Sequence, residues 1–412
     1  MLMAVIYNIL IQLFPVVIFV SSVFGNTKAR LWLNGRKDIF DRIREQLKPN
    51  EKRIWIHAAS LGEFEQGRPL IEKIREQYPE FKIFLTFFSP SGYEIRKNYS
   101  GADYIFYLPL DTRKNAKQFI DLVQPEKVLF IKYEFWYNYL AELKSRGIPV
   151  FLCSAIFRAN QVFFAWYGVW FRNMLSFFTW FFVQNELSKS KLESIGFSNA
   201  TISGDTRFDR VYEIAAQSRE IETVKTFVGQ RYCLVAGSTW LPDEELLSKY
   251  INDSQLPIVF IIAPHEIDGA NIMRLENSIQ KKTIRFSEIK NKQLDDYQVL
   301  IIDNIGMLSL LYRYGKVAYI GGGFGKGIHN ILEAAAFGLP VIFGSNHSKF
   351  QEALDLVKQG GAFTISDFNS IKVLLDALFT NRKFEIESGQ IAENFVKQNI
   401  GATDKIISHM MK

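Results

Sequence analysis

The sequence predicts an α/β protein built from two doubly wound domains, and three observations support this. From Arg53 onward, short apolar runs alternate with amphipathic stretches that carry Lys, Glu and Gln on one face. Such alternation is typical of a parallel sheet covered by helices on both faces. A polar, charged stretch at residues 208–230 interrupts the pattern, which resumes at Tyr232. The length of 412 residues also suits about two domains.

The apolar runs predict the strands of both domains. We expect strands at residues 53–59, 82–88, 103–109, 127–133, 149–155 and 179–184, and then at 232–236, 257–263, 283–286, 298–302, 316–320, 340–343 and 361–365. The domains are predicted to cover residues 28–215 and 216–412, with the last helices, at about 385–411, packing back on the first domain. Ligands of open α/β sheets bind at the carboxyl ends of the strands, so the loops that follow these runs are the informative ones.

Residues 1–27 are predicted to be a membrane anchor because they carry no charged side chain. A helix of the first 20 residues is about 30 Å long, enough for a bilayer core. Cations follow the segment, at Lys28, Arg30, Arg36 and Lys37, rather than preceding it. This order favours a retained anchor with the body on the cytoplasmic side, over a cleaved signal peptide or a buried core helix. Polar residues and a proline (Asn8, Gln12 and Pro15) weaken the segment and leave open a helix that lies partly in the interface.

Charge and cysteine content narrow the possible partners. The formal net charge of +6 and the pI of about 9.0 favour phosphorylated substrates, nucleotides or an acidic lipid surface. The sequence contains no pattern of a nucleic-acid-binding motif. Cys153 and Cys233 lie in separate apolar runs, which predicts no disulfide and a reducing compartment. No Cys/His cluster has zinc spacing, so we predict no metal site.

An aromatic segment, residues 161–182, has one charge in 22 residues. It reads as a helix followed by a core strand. The alternative is an aromatic face that rests in the lipid headgroup layer, which Trp and Tyr favour.

The loop of the second domain with the most candidate ligand-binding residues is glycine-rich and follows the predicted strand 316–320. It holds five glycines between Gly321 and Gly327, Gly322 and Gly323 among them, and a helix is expected from about His329. Glycines allow close approach of a ligand, and a helix N-terminus favours a phosphate or carboxylate. Asn330 and Glu333 are three residues apart and share one helix face. Glu333 either binds two ribose hydroxyls or is a solvated residue favoured by the helix dipole.

Three other loops are expected at the same edge of that sheet. Ser238 and Thr239 either bind a phosphate or cap the helix that begins near Pro242. His265 either donates to a phosphate oxygen or is structural. The backbone of residues 303–308, with Gly306 and Met307, is placed to pair with the edge of a base.

Glu63 is the candidate catalytic residue of the first domain. Ser60-Leu-Gly-Glu63 has the spacing of a capping box, which by itself accounts for the glutamate. The functional alternative is a general base, which must lie within hydrogen-bond reach of an attacking hydroxyl. A helix N-terminus keeps such a carboxylate ionised. The residues alone do not decide between the two.

A set of motifs in this order resembles the 3-deoxy-D-manno-octulosonic acid (Kdo) transferase family. The motifs are His57-Ala-Ala-Ser-Leu-Gly-Glu63, Tyr107-Leu-Pro-Leu-Asp111, Glu134-Phe-Trp, Ser154-Ala, Gly204-Asp-Thr-Arg-Phe-Asp-Arg-Val211, Ala236-Gly-Ser-Thr-Trp240, His329-Asn-Ile-Leu-Glu333 and Phe343-Gly344. They span nearly the whole chain.

The resemblance implies the GT-B glycosyltransferase fold, with two Rossmann-like domains facing a cleft. It implies inverting transfer of Kdo from CMP-Kdo to a tetraacyl lipid A precursor, lipid IVA, in lipopolysaccharide synthesis. The reaction needs no metal or other cofactor, and its place is the cytoplasmic face of the inner membrane. The first domain is then the acceptor-binding domain and the second the CMP-sugar-binding domain. Glu63 carries over as the general base, Glu333 and Asn330 as the ribose pair, and Ser238, Thr239 and His265 as the phosphate region.

The chain departs from the family pattern at two places. Ala263-Pro264-His265 stands where the family has Pro-Arg-His, so a cation such as Arg207 or Lys326 would have to replace the arginine. The loop 86–92 has fewer hydroxyls than the threonine-rich acceptor loop of the family. Alternative functions are a GT-B transferase that uses a UDP-sugar and a lipid-linked acceptor, and a non-catalytic nucleotide-binding module on the membrane.

Overall fold

The computed structural model describes residues 2–290 and 292–412, and the chain divides into two compact units. Unit 1 comprises Met1–Asp209 and Ile400–Lys412, and unit 2 comprises Arg210–Asn399. The chain therefore passes from one unit to the other after Asp209, a few residues before the boundary expected at residue 215.

The first part of the chain alternates helices and strands as follows. They are α1 (Leu2–Val23), α2 (Thr27–Gly35), α3 (Ile39–Gln46), β1 (Lys52–Ala58), α4 (Leu61–Gln77), β2 (Phe81–Phe87), α5 (Pro90–Arg96), β3 (Tyr104–Tyr107), α6 (Arg113–Val123), β4 (Pro125–Ile131), α7 (Tyr137–Ser145), β5 (Val150–Ala155), α8 (Val169–Leu175), β6 (Trp180–Val183), α9 (Glu186–Glu193), β7 (Ala200–Ile202) and α10 (Thr206–Gln217).

The second part repeats the same alternation. Its elements are α11 (Glu222–Val228), β8 (Tyr232–Thr239), α12 (Leu241–Asp253), β9 (Ile258–Pro264), α13 (Gly269–Ser278), β10 (Thr283–Arg285), β11 (Val299–Ile301), α14 (Leu308–Leu311), β12 (Val317–Ile320), α15 (Leu332–Ala335), β13 (Val341–Gly344), α16 (Gln351–Gln359), β14 (Ala362–Ile365), α17 (Phe368–Thr380), α18 (Arg382–Gln398) and α19 (Ala402–Met410).

Each unit is built on one seven-stranded sheet whose paired strands are parallel. The order in unit 1 is β3-β2-β1-β4-β5-β6-β7, and the order in unit 2 is β10-β11-β9-β8-β12-β13-β14. In unit 1 the chain winds outward from β1 to β3 and then returns to wind from β4 to β7 on the other side. Unit 2 follows the same plan from β8, except that β11 lies between β9 and the edge strand β10. This doubly wound topology confirms the predicted fold class.

The predicted strands are all present, and one further strand was missed. Interior strands such as β5 and β9 are buried on both faces, which is why their sequences are nearly continuous apolar runs. The missed strand, β7, has only three residues, Ala-Thr-Ile, at the edge of its sheet. So short a run gives no periodic signal.

Aromatic side chains dominate the core of unit 1. The fully buried Trp55 ring lies 4.8 Å from Phe119, 5.2 Å from Phe130 and 5.5 Å from Tyr139, measured between centroids. Aromatic pairs at these distances add to the stabilisation from buried area. In the aromatic segment 161–182, the expected helix and core strand are α8 and β6.

The C-terminal helix α19 belongs to unit 1, whereas α18 belongs to unit 2. Lys127 Nζ on β4 donates to Met410 O at 2.9 Å. The carboxylate of Asp209 accepts hydrogen bonds from the backbone N–H groups of Gly401 and Thr403, at 2.5 and 2.7 Å. A carboxylate side chain that accepts hydrogen bonds at the start of α19 suits the helix dipole.

The buried carboxylate of Asp111 connects α1 to α7 through hydrogen bonds. It accepts hydrogen bonds from Tyr7 Oη at 2.5 Å, Asn138 N at 3.0 Å and Tyr139 N at 2.9 Å. Burial raises the pKa of Asp111 from 3.8 to about 6, although these hydrogen bonds oppose the rise. The native state therefore keeps a proton to higher pH than the unfolded state. Asp111 contributes stability that is complete below pH 3.8 and is lost as the pH rises through about 6.

Replacing Asp111 by Asn should flatten the pH dependence of stability between about pH 4 and pH 7, by about 3 kcal/mol across that window. Thermal unfolding of the detergent-solubilised protein at several pH values measures this. Asp205→Asn is the matched control, because Arg207 lowers the pKa of that buried carboxyl in spite of its burial. This control should remove stability at neutral pH instead. Unchanged pH dependence in Asp111→Asn would contradict the prediction.

Candidate active site

The candidate residues of each unit lie where its sheet reverses its winding direction. In unit 1 this switch point is between β1 and β4, and in unit 2 it is between β8 and β12. Glu63 follows β1, Ser238 and Thr239 end β8, and Gly322 and Gly323 follow β12. Because crevices at the carboxyl ends of the strands at such points bind ligands, each unit has one candidate site.

Glu63 is the third residue of α4, and its carboxylate is not used in a capping box. The hydroxyl of Ser60, the residue before α4, donates to Glu63 Oε2. The Ser60 side chain makes no hydrogen bond to the helix backbone, so the capping box expected from the spacing is wrong. The short turn from β1 turns the hydroxyl toward the carboxylate instead. Glu63 is half-buried, and it can therefore accept a further hydrogen bond or a proton.

Tyr133 follows β4, and the charges of Glu63 and of Arg158, which follows β5, both act on its hydroxyl. Burial raises the pKa of Tyr133, the Arg158 cation opposes that rise, and the Glu63 carboxylate adds to it. Tyr133 therefore keeps its proton at neutral pH and is a hydroxyl group in the vicinity of Glu63.

A buried polar network lies next to the turn between β1 and α4. It was not predicted from the sequence. Thr86 Oγ1 accepts from Trp55 Nε1 at 2.8 Å and lies 2.8 Å from His57 Nδ1. His57 Nε2 lies 3.1 Å from Glu134 Oε2, which also accepts from Trp136 Nε1 at 2.6 Å. His57 is fully buried. The network ties the carboxyl ends of β1, β2 and β4 together, and Thr86 is thereby used inside the fold rather than in an acceptor loop.

A second polar cluster of unit 1 surrounds Asp205. This buried carboxylate accepts from Gln66 Nε2 at 3.2 Å and from Arg207 Nε at 2.9 Å. Arg207, one of the two cations considered as a replacement for the missing arginine, is therefore paired within unit 1. Lys326, the other one, is exposed in the glycine-rich loop, in the same unit as His265.

The loop after β8 places Ser238 and Thr239 differently from each other. Ser238 is half-exposed with a positive φ of 54°. Thr239 is buried, and its hydroxyl donates to Glu244 Oε1 at 3.1 Å. Neither residue caps α12, because the residue before that helix is Trp240. The capping alternative was wrong, and Ser238 is the hydroxyl of this pair that remains accessible.

The helix expected from about His329 begins only at Leu332 and is one turn long. Gly327 has a φ of 134°, outside the helical region. Asn330 Oδ1 accepts from Leu332 N at 3.1 Å, a local bond that competes with helical hydrogen bonding. A helix this short contributes little dipole to anion binding.

The glycines of this loop approach the protein's own backbone. A Cβ on Gly321 would lie 2.2 Å from Ser238 O, and one on Gly323 would lie 2.5 Å from Gly344 N. The N–H of Gly322 donates to Asp243 Oδ2 at 2.9 Å. Internal packing therefore accounts for glycine at these positions.

Asp243 organises the site of unit 2, and the sequence reading missed it. Besides Gly322 N, its carboxylate accepts from Trp240 N at 2.9 Å and from Tyr319 Oη at 2.7 Å. Burial raises the pKa of Asp243, and these donors oppose the rise. One carboxylate thus fixes the loop after β8 to the glycine-rich loop after β12. The only sequence signal for it was its position in the first turn of a predicted helix.

Asn330 and Glu333 come together, as their spacing suggested. Asn330 Nδ2 donates to Glu333 Oε1 at 3.0 Å, and both side chains are half-exposed. The amide thereby orients the carboxylate of Glu333. Such a carboxylate can accept from two neighbouring hydroxyl groups.

An aromatic stack lies beside Ser238, and it includes His265. The His265 ring is exposed and lies 4.3 Å from Trp240 and 4.7 Å from His329, between centroids. Trp240 Nε1 donates to His329 Nε2 at 3.0 Å. Burial, together with the smaller effect of the neighbouring His265, lowers the pKa of His329 to about 4. His329 is therefore neutral at pH 7, with its proton on Nδ1, and offers an uncharged donor that the sequence reading did not single out.

Gly306 and Met307 lie near the end of β8, because the residues that follow them pack against that strand. Gly306 is exposed with a φ of 97°, and Met307 directly precedes α14. Leu308 and Tyr312 pack over Gly237, where a Cβ would lie 2.8 Å from the leucine side chain and 2.2 Å from the tyrosine oxygen. The segment therefore borders the same edge of the sheet as Ser238.

Comparisons with known proteins agree with this architecture. A family model described as 3-deoxy-D-manno-octulosonic-acid transferase matches residues 35–210. A Haemophilus influenzae 3-deoxy-D-manno-octulosonic acid transferase is 26% identical over 377 residues, 87% of this chain and 86% of the relative. The Aquifex aeolicus protein of the same name is 26% identical and covers 82% of this chain and 90% of its own length. The solved UDP-GlcNAc 2-epimerase of Neisseria meningitidis covers 87% of this chain and 99% of its own, with a TM-score of 0.62 and 15% identity, and shows the fold.

Two seven-stranded Rossmann-like units, each with candidate site residues at its switch point, define the GT-B class of architecture. Within that class, the protein is a glycosyltransferase. The chain is similar to the 3-deoxy-D-manno-octulosonic acid (Kdo) transferase family, through the family model over residues 35–210 and through relatives that are 26% identical over most of the chain.

Proposed function

We propose that the protein transfers Kdo from CMP-Kdo to a lipid A precursor, lipid IVA, at the cytoplasmic face of the inner membrane. The similarity to the Kdo transferase family supports the donor and the reaction class. The main structural support for the mechanism is the position of the Glu63 side chain. Its carboxylate stands at the switch point of unit 1, held by a serine hydroxyl and not consumed by helix capping.

In this mechanism Glu63 acts as the general base. The acceptor hydroxyl gives its proton to the free carboxylate oxygen of Glu63 while its oxygen attacks the anomeric carbon of Kdo. The bond from that carbon to the phosphate oxygen breaks on the opposite side, and CMP leaves with the electron pair. The configuration at the anomeric carbon is thereby inverted. Ser60, which donates to Oε2, keeps the carboxylate oriented.

Unit 2 holds the donor in this proposal. Glu333, steadied by Asn330, accepts the two ribose hydroxyls, and the backbone of Gly306 and Met307 meets the edge of the cytosine. The phosphate lies at the ends of β8 and β12, near Ser238, Thr239, Gly322 and Gly323.

Side chains carry most of the phosphate binding in this arrangement. Because the N–H of Gly322 is given to Asp243 and the Thr239 hydroxyl to Glu244, the available donors are Ser238, His265 and the neutral His329. These groups and Lys326 stabilise the charge that develops on the leaving phosphate. The absence of a metal requirement remains a prediction.

The membrane part of the proposal rests on α1. It is the one helix in the described part of the chain that is long and apolar enough to cross a membrane. Attachment through α1 would keep the enzyme where a lipid-linked acceptor lies. The net charge of +6 suits a phosphorylated acceptor in an anionic membrane.

Parallel incubations with different sugar nucleotides test the identity of the donor. Membranes containing the protein are given lipid IVA with either CMP-Kdo or UDP-sugars, and the lipid products are separated by mass. We expect product from CMP-Kdo alone. Product from a UDP-sugar alone would replace this function by that of another GT-B transferase, and binding without any product would favour a non-catalytic module.

A further inference from the structure

Helix α1 has one face turned to unit 1 along most of its length. The helix is about 33 Å long at 1.5 Å per residue. The buried residues Ala4 and Ser22 are about 27 Å apart along it. Between them, Asn8 Oδ1 accepts from Asn138 Nδ2 at 2.9 Å, and the Phe14 ring lies 5.6 Å from Trp32. The body of unit 1 therefore lies beside the helix rather than beyond its end.

The opposite face of α1 is exposed and apolar. From Leu2 to Val23 its exposed side chains are Leu, Ile, Val, Met and Phe, with Gln12 as the one polar exception. An apolar surface of this extent on a folded unit marks a site of interaction.

This apolar surface continues onto the segment before α8. Tyr7 of α1 lies 5.7 Å from Trp170, between ring centroids. Just before Trp170, Trp166 is 89% exposed, Tyr167 is 64% exposed and Val169 is 55% exposed. Trp and Tyr side chains favour the membrane–water interface.

A membrane-spanning position of α1 conflicts with the contacts of its other face. If α1 crossed the bilayer, the groups packed beside it would also lie at membrane depth. These include the buried carboxylate of Asp111, bonded to Tyr7, and the amide of Asn138. Polar and ionisable groups are costly in hydrocarbon, and unit 1 would have to leave water with them.

We propose that α1 does not span the bilayer but lies in its plane, with its exposed face and the Trp166–Val169 surface immersed in one leaflet of an anionic phospholipid membrane. The inference deepens the membrane part of the proposed function and rests on it. Exposed cations follow the helix directly, at Lys28, Arg30 and Lys37, and they complement anionic headgroups. This charge complementarity favours lipid over a protein partner. Helices of this kind are immersed by about 5–10 Å.

Spin labels on single cysteines test the orientation in reconstituted vesicles. Met3, Leu10 and Val17 are exposed and seven residues apart, so they share one face of α1. The native Cys153 and Cys233 are buried, which raises the pKa of both thiols and keeps them from reacting. The control position is Lys383→Cys, in the exposed N-terminal turn of α18.

We expect equal immersion depths for the three labels of Met3→Cys, Leu10→Cys and Val17→Cys. A spanning helix would instead place the label at residue 10 about 10 Å deeper than the other two, and this result would overturn the inference while keeping membrane attachment. Labels as accessible to water as the Lys383→Cys control would overturn the membrane part of the proposed function as well.

A second variant tests whether the Trp166–Val169 surface contributes to membrane binding. The double variant Trp166→Ser/Tyr167→Ser should weaken binding to anionic vesicles about tenfold or more, because both side chains leave lipid. The control is Val373→Ser, an equally exposed apolar residue in unit 2, which should change nothing. Unchanged vesicle binding by the double variant would indicate that a span alone holds the protein, and would overturn the inference.

Discussion

Replacing Glu63 by Gln should lower kcat for Kdo transfer roughly 10³-fold, the range expected for loss of a general base. The amide keeps the shape of the side chain and a hydrogen bond to Ser60 but cannot take the proton of the acceptor hydroxyl. The affinity for CMP should stay within about twofold, because CMP binding is assigned to other residues. Transfer from CMP-Kdo to lipid IVA and calorimetric CMP binding measure the two quantities.

The matched control is Glu65→Gln, which removes the same charge from the same helix. Glu65 pairs with Arg96 at 2.8 Å on the partly exposed side of α4 and has no part in the mechanism. It should keep near wild-type kcat. Equal activity of Glu63→Gln and Glu65→Gln would reject Glu63 as the base, and loss of CMP binding in Glu63→Gln would indicate a disturbed fold instead.

Replacing Glu333 by Gln should raise the Kd for CMP about 10- to 100-fold. Charge-assisted hydrogen bonds are worth about 1.5–3 kcal/mol each, and the amide can replace only part of them. The loss should appear in Kd and KM for the donor, since the ribose contact is made before and during the reaction alike. Calorimetry with CMP measures it directly.

A nucleotide without the 2′-hydroxyl separates a ribose contact from a general loss of structure. The wild-type protein should bind CMP more tightly than dCMP, and Glu333→Gln should bind the two with nearly equal affinity. Glu245→Gln, an exposed residue on α12 of the same unit, should keep the wild-type preference. A variant that binds both nucleotides more weakly but retains that preference would contradict the assignment of Glu333 to the ribose.

The fold class and the positions of the strands could be predicted because parallel strands buried on both faces have apolar sequences. β9, Ile258–Pro264, is buried throughout, and its sequence contains no polar side chain. Each predicted site residue followed such a run, so its position at the carboxyl edge of a sheet was also predictable. The order of the strands, which puts β1 beside β4 and β8 beside β12, was not predicted, because the crossover rule fixes the handedness of each connection and not the neighbours of each strand.

The contacts that hold the sites together could not be predicted in this way. Asp243 binds Gly322, which is 79 residues away in sequence, and His57 lies beside Glu134, which is 77 residues away. No local pattern encodes such pairs. The capping box at Ser60 and the helix expected from His329 failed for a related reason, since each local signal was overruled by a neighbouring side chain or glycine.

The N-terminal segment illustrates the same limit. Its composition is that of a membrane span, and its length agrees. Only the contacts of Tyr7, Asn8 and Phe14 with unit 1 distinguish a helix that lies along the protein from one that leaves it.

A crystal structure of the full chain with CMP tests the assignment of the donor site most directly. The account predicts CMP at the switch point between β8 and β12, with both ribose hydroxyls within about 3.2 Å of the Glu333 carboxylate. The phosphate should lie at Ser238 and His265, and the cytosine should lie beside Gly306 and Met307. CMP bound at the carboxyl edge of the sheet of unit 1, or with its ribose turned away from Glu333, would contradict it.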